Sequence, residues 1–397
     1  MNILVINNKS LGEDDVISIF NNMGHKVITY THSDISMHHN DEVFNELSRC
    51  VEANDVSIVF SFNYYPIISY VLKDSNVKYI SYVYDSPHIA LYTCSIIFPC
   101  NYIFIFDYAT YEELKNGGIS TVYYLPLSIN TKRVSETIEK ADLKDGVKGA
   151  LNAGLEVSFV GSLYNEKHNL YDRLSDKLNG KYEYVRGYLD SMVKVQSQIH
   201  GYFFLDKMLD AKILETLEEV YPFAGNSDSI ATPAYVYSHY FMARKVTEIE
   251  RLRVLKKVSE KFDFTLFTHK STPELPKAHN KGAIDYYDYM PIVFNRSKIN
   301  LNISLKSILT GIPLRCIDVM GCGGFLLTNY QADLFRHFEA GKHFDYYSDD
   351  DDLLRKIEYY LEHEDERMTI AETAMKYVKE NHNLEDYLKE MLDFVMS

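Results

Sequence analysis

The sequence predicts an α/β protein with two Rossmann-like parallel sheets and a helical insertion in its C-terminal half. The first 130 residues alternate apolar strand-like runs with helix-like segments, which indicates a parallel sheet covered by helices. A second alternating set begins at residue 155. The chain has 397 residues, enough for two domains at roughly 100–200 residues each.

Six strands are predicted in the first set, which is the usual size of one doubly wound sheet. They are NILVI, KVITY, VSIVFSF before Asn63, VKYISYVY (77–84), YIFIFD (102–107) and VYYLPL (122–127). Helices are expected at 14–23, around 43–51, at 66–72 and at 111–115. We therefore assign residues 1–130 to an N-terminal Rossmann-like domain.

A polar, lysine- and glycine-containing stretch at 131–154 predicts a linker between the domains. The second set then contains LEVSFVG (155–161), FDFTLFT (262–268), KGAIDYY (281–287), KINLNIS (298–304) and GFLLTN (324–329). These runs predict a C-terminal Rossmann-like domain at 155–375. A further helix at 376–397 is expected, which can return to the N-terminal domain.

Long helical patterns interrupt the second set at about 180–255, including segments 206–221 and 240–262, and predict an inserted helical subdomain. The tail from Asp349 reads as two or three helices. The acidic run Asp349–Asp352 is placed where a helix start favours negative charge, so capping is preferred over metal binding.

Composition and charge exclude several classes of function. The chain carries 41 basic and 56 acidic side chains, a net charge of −15, so we expect no nucleic-acid partner. The five cysteines form no CxxC pair and predict reduced thiols. The start of the chain enters a strand directly and no apolar run reaches the roughly 20 residues that span a bilayer. We expect a cytoplasmic protein whose membrane attachment, if any, is peripheral.

The first loop, Asn7–Gly12, contains one glycine and does not match the GxGxxG fingerprint of dinucleotide-binding proteins. An NAD-dependent enzyme is therefore disfavoured.

The segment from Lys298 to Asn329 carries the densest chemical signal. Gly311-Ile312-Pro313 precedes a short predicted helix, and the free amides of such a helix start bind phosphate. Arg315 adds a local cation, and Asp318 follows one turn later. A carboxylate at that position can accept hydrogen bonds from both hydroxyl groups of a ribose. The structural alternative is that the glycines, which include Gly323 and Gly324, only permit tight turns.

This segment resembles the C-terminal domain of CgeB-type glycosyltransferases, a group within the GT-B superfamily. The shared features are N-x-S (Asn302, Ser304), G-I-P-x-R, a carboxylate, M-G and G-G-F-L-L-T-N. The N-terminal half is similar to the domain that precedes it in that family, through SFNYYPIIS, YISYVYDSPH and YYLPLSIN. The resemblance implies two Rossmann-like domains facing a cleft, with a nucleotide-sugar donor bound mainly by the C-terminal domain.

Donor contacts implied by the resemblance begin after the first C-terminal strand. Related transferases carry G-R-L-x-x-x-K there, whereas this chain has Gly161, Ser162 and Lys167. Lys167 is thus a candidate phosphate contact, or else a solvated lysine at a helix start. The missing arginine has three candidate substitutes, Arg173, Arg244 and Arg315.

The resemblance leaves the stereochemistry of transfer open. Many relatives place a second carboxylate at the position of Thr310, which is not acidic here, so retention or inversion is not predicted. His269 and Tyr286 follow strands at places where such enzymes contact the nucleobase. No cofactor beyond the nucleotide-sugar co-substrate and no obligatory metal are expected.

Asp85 and His88 directly follow the strand YISYVY and are the candidate catalytic residues. Ligands of parallel sheets lie at the carboxyl ends of strands, so either side chain could deprotonate an acceptor hydroxyl. Asn63 is a weaker candidate for the same place. The alternative is that Asp85 caps the next segment and His88 is an ordinary surface histidine.

The resemblance thus implies a glycosyltransferase that moves a sugar, with UDP-sugar as the favoured donor, to a hydroxyl of a glycan, protein or small molecule. The resemblance suggests bacterial surface, flagellar or spore glycoconjugates as the context. Two alternatives stay open: a sugar-nucleotide epimerase or hydrolase on the same fold, and a catalytically silent nucleotide-sugar-binding protein.

Overall fold

The computed structural model describes residues 1–143, 155–165, 169–223 and 228–397. Contacts divide the chain into two compact units. Unit 1 consists of Met1–Asn130, Ala224–Thr232 and Asn383–Ser397, and unit 2 consists of Thr131–Phe223 and Pro233–His382.

Unit 1 is built on a six-stranded, fully parallel sheet, which confirms the strands predicted for the first 130 residues. The strands are β1 (Asn2–Ile6), β2 (Lys26–Tyr30), β3 (Ile58–Phe62), β4 (Lys78–Val83), β5 (Asn101–Ile105) and β6 (Val122–Tyr124). Their order is β2-β1-β3-β4-β5-β6. β3 is buried along its whole length because helices cover both faces of such a sheet.

The helices of unit 1 begin at residues suited to helix starts. Asn40 caps α2 and Asp107 caps α4 by accepting backbone N–H groups, and α3 begins at Pro66, which needs no N–H there. The helices are α1 (Glu13–Asn22), α2 (Asp41–Ala53), α3 (Pro66–Leu72) and α4 (Tyr108–Asn116), together with the C-terminal helix Leu384–Met396.

Unit 2 contains a second six-stranded parallel sheet. Its strands are β7 (Leu155–Val160), β8 (Phe264–Phe267), β9 (His279–Asn280), β10 (Ser297–Asn302), β11 (Leu326–Asn329) and β12 (Asp345–Tyr347). The order β12-β11-β10-β7-β8-β9 is the doubly wound order 3-2-1-4-5-6 read from the β9 edge. Apolar side chains of these strands form one core with the covering helices.

The helices of unit 2 include those predicted between the first two strands and in the tail. They are α5 (Thr131–Leu143), α6 (Leu170–Lys177), α7 (Glu183–Gln196), α8 (Ala211–Val220), α9 (Pro233–Val236), α10 (Ala243–Lys261), α11 (Met290–Arg296), α12 (Leu314–Gly321), α13 (Ala332–His337), α14 (Asp350–Glu362) and α15 (Glu364–Asn381). A π-helical turn, Tyr237–Met242, joins α9 to α10. The predicted capping by the acidic run is confirmed, since the Asp349 side chain accepts the N–H of Asp352.

Two predictions for the second half are wrong in detail. KGAIDYY is not a strand: β9 covers only His279–Asn280, because Gly282 takes a positive φ of 82° and Asp285 accepts the N–H groups of the turn leading to α11. The helix predicted from residue 206 is divided: a 3₁₀ turn, Asp206–Met208, comes first, and the α-helix α8 begins at Ala211 with Asp210 as its cap. The sixth strand, β12, was not predicted, because it has only three residues and begins with a charged one.

The predicted linker begins as a helix. Residues 131–143 form α5, which belongs to unit 2, and residues 144–154 lie outside the described residues. The boundaries of the predicted domains otherwise stay predictions.

Candidate functional site

The strand order of the second sheet reverses between β7 and β10, so a ligand-binding crevice is expected at the carboxyl ends of these two strands. These two strands are neighbours from which the chain leaves in opposite directions, and open α/β sheets bind ligands at that reversal. The loop Gly161–Tyr164 follows β7, and Ile303–Ser304 follow β10. Two segments predicted to contact a donor therefore meet at one crevice, called here the β7/β10 crevice.

Two arginine guanidinium groups meet at the β7/β10 crevice. The central carbons of Arg251 and Arg315 lie 5.2 and 5.0 Å from the ring centre of Phe159. Arg251 donates to backbone carbonyls, and Arg315 donates to Oδ1 of Asn302 over 3.1 Å. Among the described residues, neither guanidinium donates to a carboxylate. Both positive charges therefore lie against the same aromatic ring, and the nearby carboxylates of Asp318 and Glu250 act on them through space without a hydrogen bond.

Burial lowers the pKa of both arginines because desolvation disfavours the charged form. The pKa of Arg251 falls to about 10, and the nearby charge of Arg315 contributes to this shift. Arg251 therefore stays protonated at neutral pH. Only 2% of Arg251 is exposed, whereas Arg315 is partly exposed. Arg315 is thus the cation that an incoming ligand can reach.

Gly161 forms the seat of the Arg315 guanidinium. Its φ is +147°, a conformation that other residues rarely adopt, and a Cβ at this position would collide with Nη2 of Arg315. A glycine after β7 is therefore required for this placement of Arg315. Three arginines were predicted as substitutes for the missing arginine after β7. Of these, Arg315 places its guanidinium beside Gly161.

Helix α12 begins next to this seat. Pro313 is its N-cap, and backbone N–H groups of a first helical turn attract anions. Gly311 and Ile312 are buried, with Ile312 only 1% exposed, so the Ile312 side chain serves packing. The predicted roles of both residues stay predictions about their backbone.

Asp318 and Tyr286 lie together at the side of α12. The Tyr286 hydroxyl donates to Oδ1 of Asp318 over 3.3 Å, and Asp318 is 5% exposed. The Arg133 guanidinium lies 5.2 and 4.9 Å from the ring centres of Tyr286 and Tyr287. The sequence singled out Asp318 and Tyr286 for ribose and base. Arg133 lies on α5, far from these residues along the sequence, and no motif around it predicts a role at the site.

Asn302 and Ser304 belong to a buried hydrogen-bond network. Nδ2 of Asn302 donates to Oγ1 of Thr328 over 2.9 Å. The amide and hydroxyl of Ser304 both donate to Oδ1 of Asn329, over 3.1 and 3.0 Å. The network joins the ends of β10 and β11. Its side chains shape the crevice and orient Arg315, and direct contact with a donor stays a prediction.

Gly323 and Gly324 lie at the opposite edge of the sheet, before the amino end of β11. Gly323 has a positive φ of 74°. A Cβ on Gly324 would lie 2.5 Å from the carbonyl oxygen of Phe294 and 2.7 Å from Nδ2 of Asn300. Close packing explains Gly324 and the positive φ explains Gly323, in agreement with the structural alternative, and the structure does not bring them to the β7/β10 crevice.

Gly324→Ala is expected to lower the free energy of unfolding by about 1–3 kcal/mol, because the added methyl overpacks a site closed by backbone. Chemical denaturation followed by circular dichroism measures the loss. The control is Gly187→Ala in α7, where no atom lies within 4 Å and alanine favours the helix. Equal stability of the two variants would contradict the packing role.

The other predicted donor residues are spread more widely. The Ser162 hydroxyl accepts the N–H of Tyr164 over 3.0 Å, and its carbonyl accepts from Arg251. His269 is exposed after β8. The Arg244 guanidinium lies 5.1 Å from the ring centre of Tyr164. Two further candidates are Lys167, which lies outside the described residues, and Arg173, an exposed side chain on α6.

In unit 1, Asn63 organises the loop that carries Asp85. Oδ1 of Asn63 accepts the N–H groups of Tyr84 and Asp85 over 2.9 and 3.0 Å, and its Nδ2 donates to Oδ2 of Asp85 over 2.8 Å. Asn63 has a positive φ of 61°, which asparagine tolerates better than most residues. The exposed Asp85 carboxylate is therefore held in one orientation at the carboxyl end of the sheet.

His88 is bound to the backbone of the neighbouring loop. Its Nε2 lies 2.9 Å from the carbonyl oxygen and 3.1 Å from the amide nitrogen of Tyr64. Burial lowers the pKa of His88, so the ring is neutral at pH 7. Of the two candidate bases, Asp85 is presented to solvent and His88 supports the loop after β3.

The chain also reverses direction between β1 and β3, which defines a second crevice in unit 1. Nδ2 of Asn8 donates to the Tyr65 hydroxyl over 2.9 Å, and its backbone N–H donates to Oε1 of Glu13 over 2.9 Å. None of these three residues was among the predicted site residues. The available signal was their position after β1 and β3, but strand order was needed to use it.

The described part of the chain contains neither a cluster of metal-ligating side chains nor a membrane-spanning helix. No three His, Cys, Asp or Glu side chains there converge as metal ligands, and no helix has the length and apolar character needed to cross a membrane. None of the five cysteines is joined to another in the structure, and their reduced state stays a prediction. The absence of an obligatory metal in the reaction stays a prediction.

Two parallel sheets with flanking helices define a GT-B fold, and solved structures share it over their whole length. HepE from Anabaena in complex with UDP and glucose aligns with a TM-score of 0.56 at 10% identity, covering 99% of both chains. An α,α-trehalose-phosphate synthase (UDP-forming) from Burkholderia vietnamiensis gives 0.56 at 12% identity, covering 100% of this chain and 99% of that chain. UDP-GlcNAc 2-epimerase from Neisseria meningitidis gives 0.54 at 10%, covering 99% of both chains. The predicted fold class is confirmed.

Sequence similarity is narrower than the likeness in fold. Residues 245–393 match the family model described as glycosyl transferase-like. This range contains Arg251, Tyr286, Arg315 and Asp318. No curated protein shows significant similarity to the chain.

Proposed function

We propose that this protein is a glycosyltransferase that moves a sugar from a nucleoside diphosphate, favoured as UDP, to a hydroxyl group. The observation that carries the proposal is the pair of guanidiniums of Arg251 and Arg315 at the β7/β10 crevice, beside the start of α12. A diphosphate would supply acceptor oxygens and negative charge to Arg315, to which no carboxylate of the described residues is hydrogen-bonded. The glycosyl transferase-like match and the complexes of HepE with UDP and UDP-glucose support the donor class.

Each residue then has a specific task in the reaction. Arg315 and the first-turn amides of α12 bind the diphosphate and stabilise its charge as it leaves. Asp318 accepts hydrogen bonds from the ribose hydroxyls, and Tyr286 contacts the base. Asp85 accepts the proton of the acceptor hydroxyl while that oxygen bonds to the anomeric carbon and the bond to UDP breaks. The protonated Asp85 returns its proton to solvent.

The finer assignment is part of the same proposal. The chain is a CgeB-type enzyme that transfers a hexose, and its acceptor is a glycan, a protein or a small molecule. The residues quoted for the resemblance support this assignment. Transfer requires no metal in the proposed scheme, because Arg315 and the helix start provide the positive charge.

UDP is expected to raise the melting temperature in the presence of EDTA more than GDP, dTDP or ADP, because a ligand that binds the native state stabilises it. Calorimetry with Asp318→Asn then tests the site. We expect about tenfold weaker UDP binding, since the variant replaces a charged acceptor of ribose hydrogen bonds. No stabilisation by any nucleotide, or unchanged affinity in Asp318→Asn, would refute the donor site.

A second candidate function is that of a sugar-nucleotide epimerase or hydrolase. The observation that favours it is the fold shared with UDP-GlcNAc 2-epimerase. The glycosyltransferase releases UDP in proportion to added acceptor. The epimerase or hydrolase acts on the donor alone, and a silent binding protein binds UDP without turnover.

A further inference from the structure

Arg251 bridges the two loops that leave the β7/β10 crevice in opposite directions. Its Nη1 donates to the carbonyl oxygen of Ser162, and its Nε and Nη2 donate to that of Ile303 over 3.1 and 2.5 Å. The paired register of β7 and β10 ends earlier, at Ser158 and Asn300. Arg251 therefore connects the strands where their own backbone pairing has stopped.

The surroundings of Arg251 hold its guanidinium in one place. Its central carbon lies 5.2 Å from the ring centre of Phe159 and 4.8 Å from that of Tyr164. The side chain is 2% exposed. Three of its five N–H groups are used by the two carbonyls. Its geometry is that of a clamp on the backbone, with little surface left for a ligand.

The two carbonyls belong to the residues that directly follow the supports of Arg315. Arg315 rests against Gly161 and donates to Asn302. Arg251 holds Ser162 and Ile303, the next residue in each case. A shift of either loop would therefore move a support of Arg315.

We propose that Arg251 is a positioning residue that fixes Arg315 in the place required for diphosphate binding. This inference rests on the proposed function, because it names what holds the donor site in shape. It assigns to a residue of α10 a role that neither the sequence motifs nor the fold comparisons identify.

The test compares UDP with uridine, which has the base and ribose but no phosphate. Arg251→Lys keeps the charge, but its single amine does not reproduce the planar fork that binds both carbonyls. We expect UDP affinity by calorimetry to fall about tenfold, the loss typical of hydrogen bonds from a charged group. Uridine affinity, from a ligand-observed NMR titration, is expected to stay unchanged.

The matched control is Arg253→Lys on the same helix. Arg253 also donates to a backbone carbonyl, that of Ser197, and it pairs with Asp350. A loss of stability alone would affect both helix variants and both ligands. The expected control result is unchanged affinity for UDP and uridine.

Each outcome decides the inference. Selective loss of UDP affinity in Arg251→Lys supports it, whereas equal loss for both ligands, or no loss, overturns it. Arg251→Gln serves if the lysine variant does not fold; because it also removes a charge, its selective loss of UDP affinity supports the inference only if the loss persists at high salt, and a loss that disappears at high salt overturns it. If the unaltered protein binds no UDP, the proposed function fails. If it does bind and the two affinities keep their ratio in the variants, only the positioning role fails.

Discussion

Asp85→Asn is expected to lower kcat of sugar transfer by about 10²–10⁴-fold, the usual contribution of a general base. The amide has the shape of the carboxylate but accepts no proton. Its Oδ1 atom can still accept the hydrogen bond that Asn63 Nδ2 now donates to Asp85, so the loop is expected to keep its conformation. The UDP dissociation constant is expected to stay the same, because the proposed contacts of UDP are made by Arg315, Asp318 and Tyr286 and not by Asp85.

Single-turnover kinetics with a radiolabelled UDP-sugar and calorimetry with UDP measure the two quantities separately. The control is Asp74→Asn, which removes a carboxylate that is 89% exposed in the same unit. Turnover of Asp85→Asn equal to that of this control would remove Asp85 as the base.

Arg315→Gln is expected to weaken UDP binding by about 10- to 100-fold, corresponding to the roughly 1.5–3 kcal/mol of hydrogen bonds to a charged group. Glutamine keeps the hydrogen-bonding character of the side chain and removes its charge. The hydrogen bond to Asn302 and the contact with Gly161 show where that charge is held. The dependence of UDP affinity on salt is expected to become shallower, because one charge interaction is lost.

Arg296→Gln is the matched control for this variant. Arg296 precedes β10 at the amino end of the same sheet, so it has the same chemistry at the opposite edge. Calorimetry at two salt concentrations compares both variants with the unaltered protein. Equal UDP affinity in Arg315→Gln and Arg296→Gln would place the diphosphate elsewhere.

Local sequence patterns predicted most of the secondary structure for a physical reason. Buried parallel strands need continuous apolar runs, so IVFSF and LEVSFV were visible in the letters alone. Caps also act between neighbouring residues, and Asp349 was placed from its local context. KGAIDYY failed because its apolar residues lie in a turn set by Gly282 and Asp285, whose effect outweighs strand propensity.

The candidate site was predictable only where its residues lie close in sequence to a recognisable element. Asp318 and Tyr286 were singled out separately, from a helix and from a strand end, and the structure joins them through one hydrogen bond. Gly324 belonged to the same glycine-rich run as Gly311, yet the helix between them places it at the other edge of the sheet. One glycine-rich sequence motif therefore contributes to two separate places: the start of α12, and the packed turn before β11.

The sequence by itself determined the two parallel sheets, most of their strands and the short helix with Arg315 and Asp318, because these depend on periodicity and on neighbouring residues. Only the tertiary structure decided that Gly161, Arg251, Asn302 and Arg315 meet in one crevice. Strand order brings them together from four separate segments, and strand order results from packing over the whole sheet. The side chains of Arg251 and Arg315 are far apart along the chain. They interact strongly only after this packing has brought them together and excluded water around them.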